Sequence, residues 1–133
     1  GFPPDTISTD LHMGNINGPV VSMLTTMSKF LSMGMPLEEV IERSTARPAQ
    51  VIGHPELGAL GPGAEADVAV LRKLEGSFNY IDCGRAKMAG SLKLECMLTL
   101  KGGQVVYDPT GIGMPDWEHA PAPYWVNPAL QSK

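Results

Sequence analysis

Two side chains near the start of this chain have the types and spacing for chemistry: Asp10 and His12, in Thr6-Ile7-Ser8-Thr9-Asp10-Leu11-His12. A carboxylate can accept a proton from a water attacking a carbonyl and return it to the leaving group. An imidazole two residues on can donate to or accept from a bound molecule. The competing reading is local: Asp is common where a strand becomes a loop, so Asp10 would cap the turn, and His12 would be a loop histidine bonded to backbone. Met13-Gly14-Asn15-Ile16-Asn17-Gly18 follows, with glycines that let backbone come close to a ligand, which makes His12, Gly14 and Asn15 candidate substrate contacts. The alternative is a plain connector. His54 and His119 stand alone, in a Gly-rich link and a Pro-rich tail, and are expected at the surface.

The elements that must position these residues are legible from periodicity. The β-branched run at 6–9 reads as a buried strand opening into the loop. Over 20–33, Val20, Met23, Leu24, Met27, Phe30 and Leu31 recur at helical spacing, and Gly34 stands where a left-handed cap ends a helix. Pro36 is placed at a first helical position, with Glu38 and Glu39 in the first turn and Leu37, Val40 and Ile41 inward. Thr45-Ala46-Arg47-Pro48 breaks this second helix, and 49–52 gives a last turn closed by Gly53. Helical order then yields to β order. Asp67-Val68-Ala69-Val70-Leu71 has strand composition. Leu92, Leu94, Cys96, Leu98 and Leu100 alternate with polar residues, which predicts one buried face. Lys101-Gly102-Gly103-Gln104 reads as a tight hairpin turn with Val105-Val106-Tyr107 returning. Beyond Asp108 the prolines forbid a long regular element, and Trp117, Tyr124 and Trp125 are expected to anchor a wrapping tail.

Composition narrows the partners. The 133 residues are 43% apolar and 18% charged, an ordinary globular balance. The net charge of −4 comes without any Lys/Arg run able to neutralise a phosphate backbone, so nucleic acid is not expected as a partner. No apolar stretch nears the roughly 20 residues that span a bilayer, so no membrane association is expected. Cys83 and Cys96 lie outside the close pairs of zinc knuckles or redox motifs; a disulfide between them is allowed but not implied, and they read as free, buried thiols of a cytoplasmic protein.

The order of parts resembles the closing third of the amidohydrolase superfamily of metal-dependent hydrolases. Thr45-Ala46-Arg47-Pro48-Ala49 is similar to that family's Thr-x-Asn-Pro-Ala turn, with Arg in place of Asn. The stretch from Gly58 through Leu60, Gly63 and Ala66-Asp67 is similar to its Gly-x-Leu-x-x-Gly-x-x-Ala-Asp return to a β-sandwich. The likeness covers residues 4–108. Within the superfamily, Ile7-Ser8-Thr9-Asp10-Leu11-His12, Thr25-Thr26-Met27-Ser28-Lys29 and Gly34-Met35-Pro36 are most similar to the dihydroorotase-like deacetylase branch.

This resemblance implies an α/β plus β fold: residues 1–57 as the last strand and helices of a (β/α)8 barrel, 58–108 as part of a composite β-sandwich, and 109–133 as a tail. It places Asp10 at the C-terminal end of the last strand, in the mouth of the site. There Asp10 would bind a divalent metal, zinc by expectation, and serve as general base and then acid on a small amide, ester or cyclic amide substrate. A hydrolytic zinc needs three protein ligands, while this chain has three scattered histidines and no His-x-His pair. A whole barrel takes about 200 residues or more. The chain is therefore expected to be the C-terminal portion of such an enzyme and inactive alone, binding no metal tightly. Two other readings stand beside it: a non-catalytic module that self-associates, or one chain of an enzyme completed by another polypeptide. In either case uncovered barrel-facing surface would favour a homo-oligomer or association with the missing barrel portion.

Overall fold

The computed structural model describes residues 2–16 and 18–120. Among these residues, three α-helices and a short 3-10 turn, Pro55–Gly58, precede a three-stranded antiparallel sheet of order β1-β2-β3. Helix α1 spans Met23–Ser32 and begins three residues later than the apolar spacing predicts, because the Ser22 side chain accepts the Thr25 N–H at 3.2 Å and caps it. It ends as expected at Gly34, whose φ of +95° lets its N–H turn back to the Leu31 carbonyl.

Helix α2, Leu37–Ser44, starts one residue after Pro36, whose ψ of 146° keeps that proline outside the helix rather than at its first position. The break predicted over 45–48 contracts to Thr45 alone. Helix α3, Ala46–Val51, runs through Pro48, which is tolerated because an N–H in the first helical turn has no intrahelical acceptor to lose.

Strand β1, Val68–Ile81, extends ten residues beyond the stretch predicted at 67–71. Its charged residues Arg72, Lys73 and Glu75 hid it, but β2, Lys87–Lys101, pairs with it from Val68↔Leu100 to Ile81↔Lys87. β2 then turns through Gly102 and Gly103, both at positive φ, into β3, Gln104–Tyr107, as the hairpin reading required.

The even alternation from Leu92 to Leu100 does not give one buried face. Leu71 pairs with Cys96 while Val70 pairs with Leu98, so Met97 is an extra residue in β2. Paired residues share a face, and adjacent residues in β1 do not, so Leu98 and Leu100 lie opposite Leu92, Leu94 and Cys96. A bulge cannot be seen in a period of two.

The core is made by Ile7, Met27, Leu31, Val40 and Leu94, with Leu24, Phe30, Leu71 and Leu92 packed around it. It joins the N-terminal segment, two helices and the central strand. Residues 6–9 form no strand. An extended segment becomes one only where a neighbour meets its backbone groups in a ladder, and here the Ile7 N–H is taken by the end of α2, at the Arg43 carbonyl, 2.7 Å away. In the tail, Trp117 opens a short 3-10 turn, Trp117–His119, and is 67% exposed, so it anchors nothing among the described residues. Tyr124 and Trp125 lie outside them.

Candidate functional site

The approach to Asp10 is built by α2. Arg43 closes on the N-terminal segment twice: its carbonyl accepts the Ile7 N–H, and its Nη1 donates to the Pro4 carbonyl. The guanidinium is itself held by Glu39 one turn earlier, at 3.0 Å. With Ile7 buried against Met27, Leu31 and Val40, the chain leaves the core in a fixed direction. Three residues later Asp10 takes φ +48°, a left-handed conformation uncommon for a residue with a Cβ. Its side chain is exposed, and among the described residues its carboxylate takes no hydrogen bond. The turn-capping role that Asp10 might have filled belongs instead to Asn15.

Asn15 is nine-tenths buried. Its Nδ2 donates to the Asp10 carbonyl at 2.6 Å and its Oδ1 accepts the His12 N–H at 2.8 Å. The backbone completes the loop, since the N–H groups of Asn15 and Ile16 both donate to the His12 carbonyl at 3.0 Å. Asn15 thus faces the loop's own backbone, and both of its polar atoms are engaged there.

His12 is exposed, and its Nδ1 accepts the Gly14 N–H at 3.0 Å. An accepting Nδ1 carries no proton, so the neutral ring bears its hydrogen on Nε2 and presents an outward donor. Gly14 permits this because a Cβ there would meet the His12 ring at 3.0 Å. The four residues singled out in the sequence therefore form one unit: an unengaged carboxylate, a tautomerically fixed imidazole, a glycine that admits it and an amide that ties the backbone together.

The exit from the loop is tied by Lys29, whose ammonium donates to the carbonyls of Pro19 at 2.7 Å and Ile81 at 2.8 Å. Lys29 and Arg43 are positioning residues that sequence reading did not single out. The i,i+4 spacing of Glu39 and Arg43 was a visible signal, but the partners of Lys29 lie 10 and 52 residues away and left none.

The titrating groups that the fold perturbs lie away from this loop. The Lys101 ammonium and the Gly102 N–H hold the Asp67 carboxyl below its usual range, and Asp67 in turn raises Lys101. The same pair explains the Ala-Asp element of the sequence: Asp67 Oδ1 accepts the Gly102 N–H at 2.8 Å, and the Ala66 carbonyl accepts that of Gly103 at 2.9 Å, so these residues clasp the hairpin turn. Arg72 lowers Glu95 across the sheet, and His54 lowers Glu56. His54 and His119 are exposed, as expected. Both cysteines are free, but Cys83 is exposed rather than buried, because it sits in the tight β1–β2 turn that Asp82 and Ala86 close through their own hydrogen bonds.

No group of three or more His, Cys, Asp or Glu side chains converges among the described residues. The donor set of this chain therefore does not fit a metal by itself; Asp10 offers one carboxylate. Among the described residues, no helix is long and apolar enough to cross a membrane.

Comparison with known proteins gives this arrangement a context. A family model described as "Amidohydrolase family" matches residues 20–107. A deacetylase of Brucella anthropi is 42% identical over 82 residues, covering 62% of this chain and 20% of that protein. Solved structures of an adenine deaminase and of a dihydroorotase superpose with a TM-score of 0.73 each, at 30% and 33% identity. They cover 78% and 81% of this chain and 28% and 30% of those chains. The chain spans between about a fifth and three tenths of the length of curated relatives it matches.

Proposed function

This chain belongs to the amidohydrolase family, and from that premise we propose that it is the C-terminal portion of a metal-dependent hydrolase acting on an amide, ester or cyclic amide bond, with Asp10 as the proton-transferring carboxylate. The observation that carries the reading is the exposed Asp10 carboxylate on a loop held by the Asn15 amide, which bonds the Asp10 carbonyl and the His12 N–H, and by the Gly14 N–H on His12 Nδ1. Residues 1–57 are then the last strand and helices of a (β/α)8 barrel and 58–108 part of a composite sandwich. Segment 6–9 becomes a barrel strand once neighbouring strands meet its backbone groups, and Asp10 stands at the end where barrel active sites lie. Likeness to a deacetylase, an adenine deaminase and a dihydroorotase supports carbon–nitrogen or ester hydrolysis of a small molecule.

In this mechanism Asp10 accepts the proton of the water that attacks the substrate carbonyl and returns it to the departing nitrogen or oxygen, so one group serves as base and then acid. The His12 Nε2–H, fixed by Gly14, donates to an acceptor on the substrate. The backbone at Gly14 borders the same space. The family is generally metal-dependent, and a divalent cation, zinc by its ligand chemistry, would be held by Asp10 only together with ligands that these residues do not supply.

Apolar side chains left uncovered on this chain, Val51 at 75% and Ile52 at 63% exposure, favour association with the remainder of the barrel, another copy or a completing polypeptide. The test is made in the full polypeptide that carries these residues, assayed with an N-acetylated amino acid, p-nitrophenyl acetate and dihydroorotate. At least one is expected to be hydrolysed. Asp10→Asn is expected to abolish turnover while metal remains partly bound, and turnover retained by that variant would remove Asp10 from the mechanism.

A further inference from the structure

We infer that Asn15 is the positioning residue of Asp10, acting on its backbone rather than on the substrate; the inference rests on the proposed role of Asp10. The sequence suggested a substrate contact, but the geometry turns the side chain inward. Asn15 is nine-tenths buried, its Nδ2 meets the Asp10 carbonyl at 2.6 Å, and its Oδ1 meets the His12 N–H at 2.8 Å. The primary amide carries a donor and an acceptor on one planar group without needing to be protonated, and only this orientation of it satisfies both partners. The two backbone groups it joins flank Asp10 on its C-terminal side.

What needs holding is the backbone of Asp10 itself. At φ +48° Asp10 sits in the left-handed region, which Asp tolerates better than most residues with a Cβ but still adopts as a minority conformation, so outside bonds decide how firmly it is held. The helix α2 clamp reaches no further than Ile7, and the Thr9 hydroxyl accepts the Leu11 N–H at 3.3 Å, so the hydrogen bond to the Asp10 carbonyl comes from Asn15. If Asp10 relaxes to negative φ, its carboxylate swings away from the direction the loop now gives it. Misplacement of a reacting group by about 1 Å costs on the order of a hundredfold in rate. Asn15 therefore governs kcat through Asp10.

The experiment compares Asn15→Ala and Asn15→Asp with the parent in the full polypeptide, on whichever of the three probe substrates it turns over. Metal content and hydrogen exchange at the His12 amide are measured on the same samples. Asn15→Asp keeps the acceptor for His12 but sets an oxygen against the Asp10 carbonyl, so it isolates the bond to Asp10 and serves where the alanine variant does not fold. Both variants are expected to lose about a hundredfold in kcat, with KM changed by less than about threefold. The His12 amide is expected to exchange faster in Asn15→Ala and to stay protected in Asn15→Asp. A raised KM with kcat unchanged would make Asn15 a substrate contact and overturn the inference. So would full kcat in Asn15→Asp, or unchanged exchange at His12 in Asn15→Ala. Failure of the underlying reading shows separately, as turnover retained by Asp10→Asn.

Discussion

The hydroxyl of Ser28, in the middle of α1, accepts the backbone N–H of Leu94 at 2.9 Å and donates to the Leu24 carbonyl, so a helix side chain closes the open edge of the central strand. One turn on, Ser32 does the same at Leu92, donating to its carbonyl at 3.0 Å. β3 pairs with β2 only from Thr99 onward, so the Leu94 N–H would otherwise meet no acceptor beside the helix. Two serines four residues apart stand in for a strand.

Ser28→Ala leaves the buried Leu94 N–H without an acceptor. The expected loss is about 1–3 kcal/mol of stability, the usual cost of an unsatisfied buried donor. Denaturant titration of the two proteins measures it, and a change below a few tenths would show that water or another group takes the place of the hydroxyl.

Gly90 lies where α1 crosses the sheet. A Cβ there would stand 2.5 Å from the Ser32 hydroxyl oxygen and 2.6 Å from the Tyr80 ring, whose own hydroxyl is committed to the Leu92 carbonyl at 2.6 Å. Neither neighbour can yield without breaking a hydrogen bond. Gly90→Ala is expected to cost about 1–3 kcal/mol, whereas the same change at exposed Gly61, which has open space, is expected to be near neutral in thermal melts.

The hairpin clasp carries a pH dependence with a definite sign. Asp67 is held below its ordinary value of 3.8, so its contribution is present above that value and is lost as pH falls through the lower folded one. Lys101 is raised above 10.5, so its contribution is present below that value and is lost as pH climbs through the higher folded one. Lys101 is exposed and Asp67 partly so, and solvent screening keeps the effect small. Hydrogen exchange at the Gly102 amide, compared with Asp67→Asn, is expected to show a difference near neutral pH that closes only as pH falls below the ordinary carboxyl value of 3.8. A difference independent of pH would assign the clasp to shape rather than charge.

Thiol accessibility separates the two cysteines. Cys83 is exposed in a turn, while Cys96 is partly buried with its sulfur 3.3 Å from the Thr99 hydroxyl. An aromatic disulfide reagent is expected to label Cys83 promptly in the native protein and Cys96 only on unfolding. Equal rates would mean that α1 does not stay closed on β2.

Where a signal depends on neighbours in sequence, the residues announced the structure. Gly34 and Gly53 marked helix ends, the Gly102-Gly103 pair marked the hairpin, and the apolar spacing of Met27 and Leu31 marked the face of α1 that faces the core. The candidate site was legible to the same extent: Asp10, His12, Gly14 and Asn15 fall within six residues and make one loop. The sequence by itself determined these elements and the family they belong to, because caps, turns and periodicities are contacts between residues a few positions apart. Only the tertiary structure decided that Met97 is a bulge reversing the face of β2, that 6–9 binds the end of α2 instead of a strand, and that Ser28 and Ser32 serve the sheet. It alone turned the Asn15 amide inward. Each of these depends on which backbone groups lack a partner after the chain has folded, a quantity set by distant segments and written in no local pattern.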